Sequence, residues 1–416
     1  MALLFHFMGV NPAELRVIEV GSAVFWRGTL ALVIGSFMIF ANVYVTQPLL
    51  PMIANEFAIS PLQASGSFTI TTLTLGISLL FYGPISDALG RKGIMVMTMV
   101  GITLTTFCLS LVQSYESLLA LRALQGFFLA GLPAIAVAYL GDEYTPEALL
   151  VAVGLYISGN TLGGIGGRLI GGFVGEWLGR SATFAVMSAI SLMCLLAFFF
   201  LLPKSQHFEP KPLRVGHILN NMKSHLQNRR LLTCYLIGGF SFFIFINQYS
   251  YVTFVLEAEP YNLTAKYVGL LFLTYLSGTL GSAISGKLAK RWSQPNIMVL
   301  GTCIFMFGSL VTLGNSLLAI IVGLLINSFG FFLCHSTASG FVSRNAKHAK
   351  ASASSLYLVF YYLGASLGGF YLDPFWQANG WTGVVLGSWI VLGAVVLTGV
   401  SLVLDNKKTL SLNVSH

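Results

Sequence analysis

Apolar and polar positions along this chain alternate in blocks of tens of residues. Runs of nearly pure hydrocarbon are separated by short breaks rich in glycine, proline and charge. Twelve such runs lie at about 28–50, 65–86, 93–112, 116–140, 148–173, 181–202, 231–256, 265–288, 295–315, 316–342, 351–373 and 381–404. A helix needs about 20 apolar residues to cross the hydrocarbon core of a bilayer, and helical hydrogen bonding satisfies its backbone without water. The pattern predicts an all-α membrane protein with twelve transmembrane helices, here called spans 1 to 12. Composition agrees: 56% of the 416 residues are hydrophobic and 9% are charged, against about 25% charged in a soluble domain.

Charge then sets the orientation. With the N-terminus inside, Arg16, Arg27, Arg91, Lys92, the six Lys and Arg residues from Lys204 to Arg230, Lys287, Lys290, Arg291, Arg344, Lys347, Lys350, Lys407 and Lys408 face the cytoplasm. Outside fall Arg180 and Lys266, with Glu56, Glu116, Glu176, Glu257, Glu259 and Asp373. The positive-inside rule therefore predicts cytoplasmic termini, and the net charge of +8 reflects topology rather than nucleic-acid binding. The start lacks a basic n-region, and Glu14 and Glu19 follow its short apolar stretch, so it is not read as a signal peptide. Residues 11–26 are expected to form an interfacial helix. All five cysteines lie inside apolar runs without paired spacing, which predicts neither disulfides nor a metal site. No cofactor is expected.

The longest polar break, 203–230, divides six spans from six, and the two sets resemble each other. Phe40-x-Asn42-x-Tyr44 recurs as Phe245-x-Asn247-x-Tyr249, 205 residues on; GFFL at 126–129 recurs at 330–333. Tyr156 and Gly163 recur as Tyr357 and Gly364, 201 residues on. These matches predict two six-helix pseudo-repeats with the substrate between them. The domain reading is an N-terminal segment 1–26, a half 27–202, a cytoplasmic loop 203–230, a half 231–404 and a tail 405–416.

One break is unusual. YGPISDALGRKG at 82–93 holds one acid, two bases, three glycines and a proline between two apolar runs. At the equivalent turn, 203 residues on, Gly83 becomes Gly286, but Asp87 becomes Lys290 and Arg91 becomes Gln294. Topology alone does not ask for the acid.

Gly83-Pro-Ile-Ser-Asp87-Ala-Leu-Gly90-Arg91-Lys92 resembles the G-x-L-x-D-R-x-G-R-K loop between helices 2 and 3 of the major facilitator superfamily, and Arg122-Ala-Leu-Gln125-Gly126 resembles its second motif, in span 4. YVTQPLLP at 44–51 and GLYISGNTLGGIGGRLIGG at 154–172 are similar to YnfM-type exporters of the drug:proton antiporter group. Two departures stand out: Ala88 replaces a base, and the span 5 motif G-x-x-x-G-P-x-x-G-G has Gly164 for its proline and Arg168 for its last glycine. The resemblance implies the major facilitator fold and a cytoplasmic latch. In that latch Asp87 accepts hydrogen bonds from the N-terminus of span 11, and Arg91 bridges Asp87 to Asp142 or Glu143. The alternative is a turn with two positive-inside charges. The resemblance also implies that span 5 slides on span 8 and span 2 on span 11. Gly159, Gly163, Gly167 and Gly171 leave one face of span 5 bare, either as that sliding seam or as ordinary tight packing.

Polar groups at membrane depth are costly and face cavities or one another. Those expected to serve the substrate cavity or proton coupling are Asn42, Gln47, Arg122, Gln125, Asn160, Arg168, Asn247, Gln248, Tyr251, His335, Tyr357 and Tyr361. Arg122 and Gln125 share a helix face, and Arg122 could depress the pKa of a neighbouring acid. His335 is a candidate proton carrier or a neutral buried histidine. An aromatic cavity with few fixed charges suits an amphipathic solute. No G-x-x-x-x-G-K-[ST] or H-E-x-x-H occurs, so catalysis is not expected. Proton-coupled efflux of a small organic solute across the bacterial inner membrane, by a monomer, is the leading expectation. Uptake or facilitated diffusion, and a transport-dead sensor or scaffold, stay open.

Overall fold

The computed structural model of the chain describes residues 17–210, 215–346 and 348–414, nearly all of them helical. Ten helices among the described residues are long and apolar enough to cross a bilayer, and two of these, Pro146–Leu201 and Ser352–Asp405, contain 56 and 54 residues. At about 1.5 Å per residue such a helix, if straight, would reach roughly 80 Å, more than twice the hydrocarbon core. Each folds back instead. Gly179 breaks the first at φ 80° and ψ 178°. Asn379 and Gly380 break the second, Gly380 at φ 53° and ψ −135°, backbone that glycine alone adopts readily. Twelve crossings result, as the hydropathy pattern predicts.

Local signals account for most boundaries. Span 2, Pro61–Leu89, begins with a reciprocal cap: the Gln63 amide donates to the Ser60 hydroxyl at 3.2 Å, and the Ser60 amide donates to the Gln63 side chain at 3.0 Å. Ser114 caps span 4 and Ser316 caps span 10, Leu317–Asn345, at equivalent positions, each hydroxyl accepting from the amide three residues on. Gly90, at φ 110°, turns the chain from span 2 into span 3, Arg91–Ser110. Span 1 is Ala23–Tyr44, continued by a 3-10 turn, Gln47–Leu49, and a short helix, Leu50–Phe57. Span 4 runs as Tyr115–Leu129 and Gly131–Glu143, span 7 as Arg229–Glu257, and span 9 as Gln294–Val311. Span 8 is Ala265–Leu271, a 3-10 turn Phe272–Thr274, and Tyr275–Leu288. Part of the central break is helical, Val215–Gln227.

The interfacial helix expected over 11–26 differs in its described part. Residues 17–22 are not helical; the Ile18 amide donates to the Glu143 carbonyl at 2.8 Å and its carbonyl accepts from Thr145 at 3.0 Å. The span 1 helix starts only at Ala23, capped by Ser22. Residues 11–16 lie outside the described part.

Spans 1–6 pack mainly on one another, as do spans 7–12, and the pairs 2 with 11 and 5 with 8 join the two sets. The glycine face of span 5 is not in that joint. A Cβ built on Gly159 would meet the Val33 carbonyl at 2.8 Å and one on Gly163 the Phe37 carbonyl at 2.5 Å, while Gly167 and Gly171 close on the carbonyls of Ala41 and Val45. All four neighbours belong to span 1, so the bare face fastens span 5 inside its own half. Span 11 is fastened to span 7 likewise, Gly364 against Gly239 and Gly368 against Phe243. The contact across the halves falls to Gly172, whose Cβ would lie 2.6 Å from the Ala265 carbonyl and 3.1 Å from Gly269 Cα.

The halves meet unevenly along their length. Thr72 and Ser366 share a hydrogen bond of 3.0 Å. A Cβ on Gly76 would lie 2.8 Å from Tyr362. Seven residues is nearly two helical turns, so Gly83 looks out from the same face of span 2 as Gly76. Gly83 has no neighbouring atom within 4 Å of a Cβ built there. Spans 2 and 11 therefore diverge toward the 82–93 loop. At the far end, spans 5 and 8 close: Glu176 accepts from the Lys266 amide at 2.9 Å and from the Thr264 hydroxyl.

The two glycine environments predict different phenotypes. Gly167→Leu drives a side chain into span 1 backbone, an overpacking cost of about 3 kcal/mol or more, and should abolish the monodisperse peak on fluorescence-detected size exclusion. Gly172→Leu should leave that peak intact and raise thiol labelling at the end now closed. Equal abundance of both variants would mean that Gly167 does not pack as described.

Candidate functional site

At the loop end, Asp87, Arg91 and Asp142 assemble as the sequence predicts. Arg91 is ion-paired with Asp87, and its Nε donates to Asp142 Oδ2 at 3.0 Å; its Nη1 also donates to Ser86 Oγ at 2.9 Å. Arg91 itself is buried, with the Phe208 ring 5.8 Å from its Cζ. All three members belong to the first half. The Asp87 side chain is 41% exposed, and its only described ion pair is with Arg91. The contact with the span 11 N-terminus is not made while spans 2 and 11 stand apart at this end. Two expected members are elsewhere. Glu143 accepts from the amides of Gln206 at 2.8 Å and His207 at 3.1 Å and pairs with the His207 ring, fastening the start of the central break. Lys92 donates to the Phe199 carbonyl at 3.1 Å and to that of Leu202, closing off the end of span 6.

Arg122 is not in the cavity. It is 0% exposed and buried among spans 1, 2 and 4 of the first half. Its Nε donates to the Ser67 carbonyl at 3.2 Å, Nη1 to the Asn42 carbonyl at 3.0 Å and to Gln125, and Nη2 to the Val43 carbonyl at 3.1 Å and Thr46 Oγ1 at 3.3 Å. Five N–H groups thus have five acceptors, none of them a carboxylate. Gln125 and Asn42 extend the knot. Gln125 donates to Thr106 at 2.7 Å and to Asn42 at 3.2 Å; Asn42 accepts from Thr106 at 2.8 Å and donates to Ser191 at 2.9 Å. The second half has a smaller knot in the corresponding place, where Gln248 accepts from Ser309 at 2.9 Å and Asn327 at 2.7 Å. These candidates hold each half together.

Asn247 is similar: it donates to Phe243 and, across to span 11, to the Ala365 carbonyl, both at 2.9 Å. Tyr251 donates to the Gly369 carbonyl at 3.3 Å and to Asp373 at 3.2 Å, within the second half. Asn160, half-buried, accepts from Ser36 on span 1.

One group does lie between the halves. Arg168, 1% exposed, has its guanidinium carbon 3.9 Å from the Tyr44 ring centre, 4.4 Å from that of Tyr275 and 4.6 Å from that of Phe272. Its Nε donates to Gln47 at 2.8 Å, Nη1 to the Gly164 carbonyl at 2.9 Å, and Nη2 to the Tyr275 hydroxyl at 3.3 Å. Gln47 in turn reaches Ser250 of span 7 at 3.4 Å. The box draws on spans 1, 5 and 8. His335 lies within the second half: Tyr357 Oη is 2.9 Å from its Nδ1, and the Tyr361 ring is 4.7 Å away. An aromatic ladder joins the two, from Tyr275 to Phe245 at 5.1 Å, Phe245 to Phe331 at 3.9 Å, and Phe331 to His335 at 5.7 Å. Phe272, Tyr275 and Gly172 escape sequence reasoning because their roles exist only across a helix pair that pattern does not align.

Two bundles of six spans, joined at one end around a polar and aromatic centre, define a multi-pass membrane transporter. Residues 32–369 match the Major Facilitator Superfamily. The chain is 38% identical over 383 residues to the uncharacterized MFS-type transporter YybF of Bacillus subtilis (strain 168), covering 92% of this chain and 95% of that protein. It is also 38% identical over 381 residues to the inner membrane transport protein YnfM of Escherichia coli (strain K12), covering 92% and 91%. A bacterial homolog of the human lysosomal transporter Spinster, solved inward-facing and unoccupied, has the same fold, with a TM-score of 0.70 at 16% identity over 92% of this chain and 96% of that one. The chain belongs to the major facilitator superfamily and is a transporter, not an enzyme.

Breaking a buried charge network by removing one partner costs about 3–5 kcal/mol. Arg122→Ala should therefore lower the melting temperature in detergent by 5 °C or more, on the order expected for such a loss. Arg122→Lys should not restore it, because one ammonium cannot serve five acceptors. Wild-type stability in both variants would return Arg122 to the cavity.

Proposed function

We propose that this protein exports a small amphipathic organic solute across the bacterial inner membrane by alternating access, in exchange for protons. The observation that carries this reading is the unequal joining of the halves. Glu176, Gly172 and Arg168 tie span 5 to span 8 at one end, while Gly83 stands clear of span 11 at the other. A cavity open at one end and shut at the other is one of the two states that alternating access requires. Arg91, Lys92, Lys287, Lys290 and Arg291 crowd the open end. By the positive-inside rule this end is cytoplasmic, along with both termini. The export direction rests on the resemblance of 44–51 and 154–172 to YnfM-type exporters.

His335 is the group we assign to proton movement. It is half-buried and hydrogen-bonded to Tyr357, and an imidazole can both take up and release a proton. In proteoliposomes containing a pH-sensitive dye, a transported solute should drive protons the opposite way. His335→Gln should keep downhill solute exchange and lose the dye response by about tenfold, the scale of one lost charge-assisted bond. Co-directional proton flow would replace export with uptake, and an unchanged response would remove His335 from the coupling.

The Asp87 cluster is assigned as the latch of the closed state on this side. Asp87→Asn removes a charge-assisted interaction of about 1.5–3 kcal/mol, comparable to the gap between two conformations. The variant should insert normally, show about tenfold more thiol labelling from the cytoplasmic side and transport poorly. Lys290→Asn should do little. Unchanged labelling with normal transport in Asp87→Asn would reduce 82–93 to a turn.

A further inference from the structure

Three arginines lie buried in the apolar body of this protein at 3% exposure or less, and they are satisfied in three ways. Arg180 makes a two-point contact with Glu56, at 2.8 and 2.7 Å. Arg122 places five N–H groups on five acceptors. Arg168 has neither device: among the described residues it donates three hydrogen bonds, all to neutral acceptors, and no carboxylate lies within ion-pair distance.

A desolvated charge without a counter-ion is strongly unfavourable in a low-dielectric interior. The faces of Tyr44, Tyr275 and Phe272 offset part of this cost through their ring quadrupoles, best when water is excluded. The box is also placed for access. It spans both halves where spans 5 and 8 meet, and Tyr44 and Tyr275 keep 9% and 8% of their surface exposed where Phe272 keeps none. Beyond Tyr275 the ladder continues through Phe245 and Phe331, both fully buried, to the partly exposed His335.

We infer that Arg168 is the anchor for an anionic group on the solute, and that the solute is an organic carboxylate with a planar aromatic body. The carboxylate takes the guanidinium N–H groups left unused, and the ring lies against the exposed edges of Tyr44 and Tyr275. Guanidinium matches carboxylate in two-point geometry, which a point charge does not reproduce. This rests on the transport reading above, but its test does not depend on a gradient or on protons.

The probes are 1-naphthoate and its neutral isostere 1-naphthamide, with 1-naphthylmethylamine as the cation. The full-length protein in lipid nanodiscs is assayed by thermal shift and by calorimetric titration. Naphthoate should bind about tenfold or more tightly than the amide, the scale of a charge-assisted pair, and the amine should not bind measurably. Arg168→Gln should remove the preference for naphthoate, and Arg168→Lys should keep part of it. Equal binding of the acid and amide by the wild type would overturn the inference whether or not the Arg168 variants fold. So would an undiminished preference in Arg168→Gln. Such a result would leave alternating access standing. Conversely, loss of proton-coupled flux with carboxylate binding intact would sink the antiport reading alone.

Discussion

Arg122 carries a full charge where the medium offers no water, and the first half is built around the five acceptors it requires. Four of these come from spans 1 and 2; three are backbone carbonyls, and those of Asn42 and Val43 are free to accept because span 1 ends its α-helix at Tyr44 and loosens into a 3-10 turn. The guanidinium fixes where span 1 bends, and Asn42, Gln125 and Thr106 then link spans 1, 3 and 4 into one body. In hydrocarbon an unmet polar group has no second choice of partner. A knot of this kind therefore specifies one packing far more sharply than apolar contacts, which lipid tails imitate.

Rigid halves are what a rocking mechanism needs, and the glycine faces supply them a second time. Span 5 lies backbone to backbone on span 1, and span 11 on span 7. By contrast, the joints between halves are small and reversible, among them one hydroxyl pair at Thr72 and Ser366, a glycine at Gly172, the hydrogen bonds of Arg168 to Tyr275 and Gln47 to Ser250, and a carboxylate at Glu176 on the start of span 8. Strong contacts within the halves and modest ones between them are the energetic condition for two conformations separated by only a few kcal/mol.

The two ends follow a common logic with different residues. At the closed end Glu176, on span 5, accepts from the Lys266 amide and the Thr264 hydroxyl at the start of span 8, where the backbone dipole is positive. The proposed latch at the open end would have Asp87, on span 2, do the same for span 11. Only one such contact is made in this conformation, as expected if the two alternate.

Hydropathy and charge alone determined that the chain crosses the membrane twelve times, because crossing depends only on local length and solvation. The 82–93 cluster was legible too: Asp87 and Arg91 are one turn apart, and the acid had no topological purpose. The roles of the deeper polar residues were not legible. Arg122 and Arg168 look alike in sequence, each a lone cation in an apolar run, yet one is a structural knot and the other faces the seam. Likewise the spacing of Gly159, Gly163, Gly167 and Gly171 announced a close approach without naming the helix that approaches. Periodicity gives the face of a helix, but rotation and partner are set by contacts hundreds of residues apart. Only the tertiary structure brought Tyr275 and Phe272 to Arg168, and so only it could show a buried charge still lacking its counter-ion.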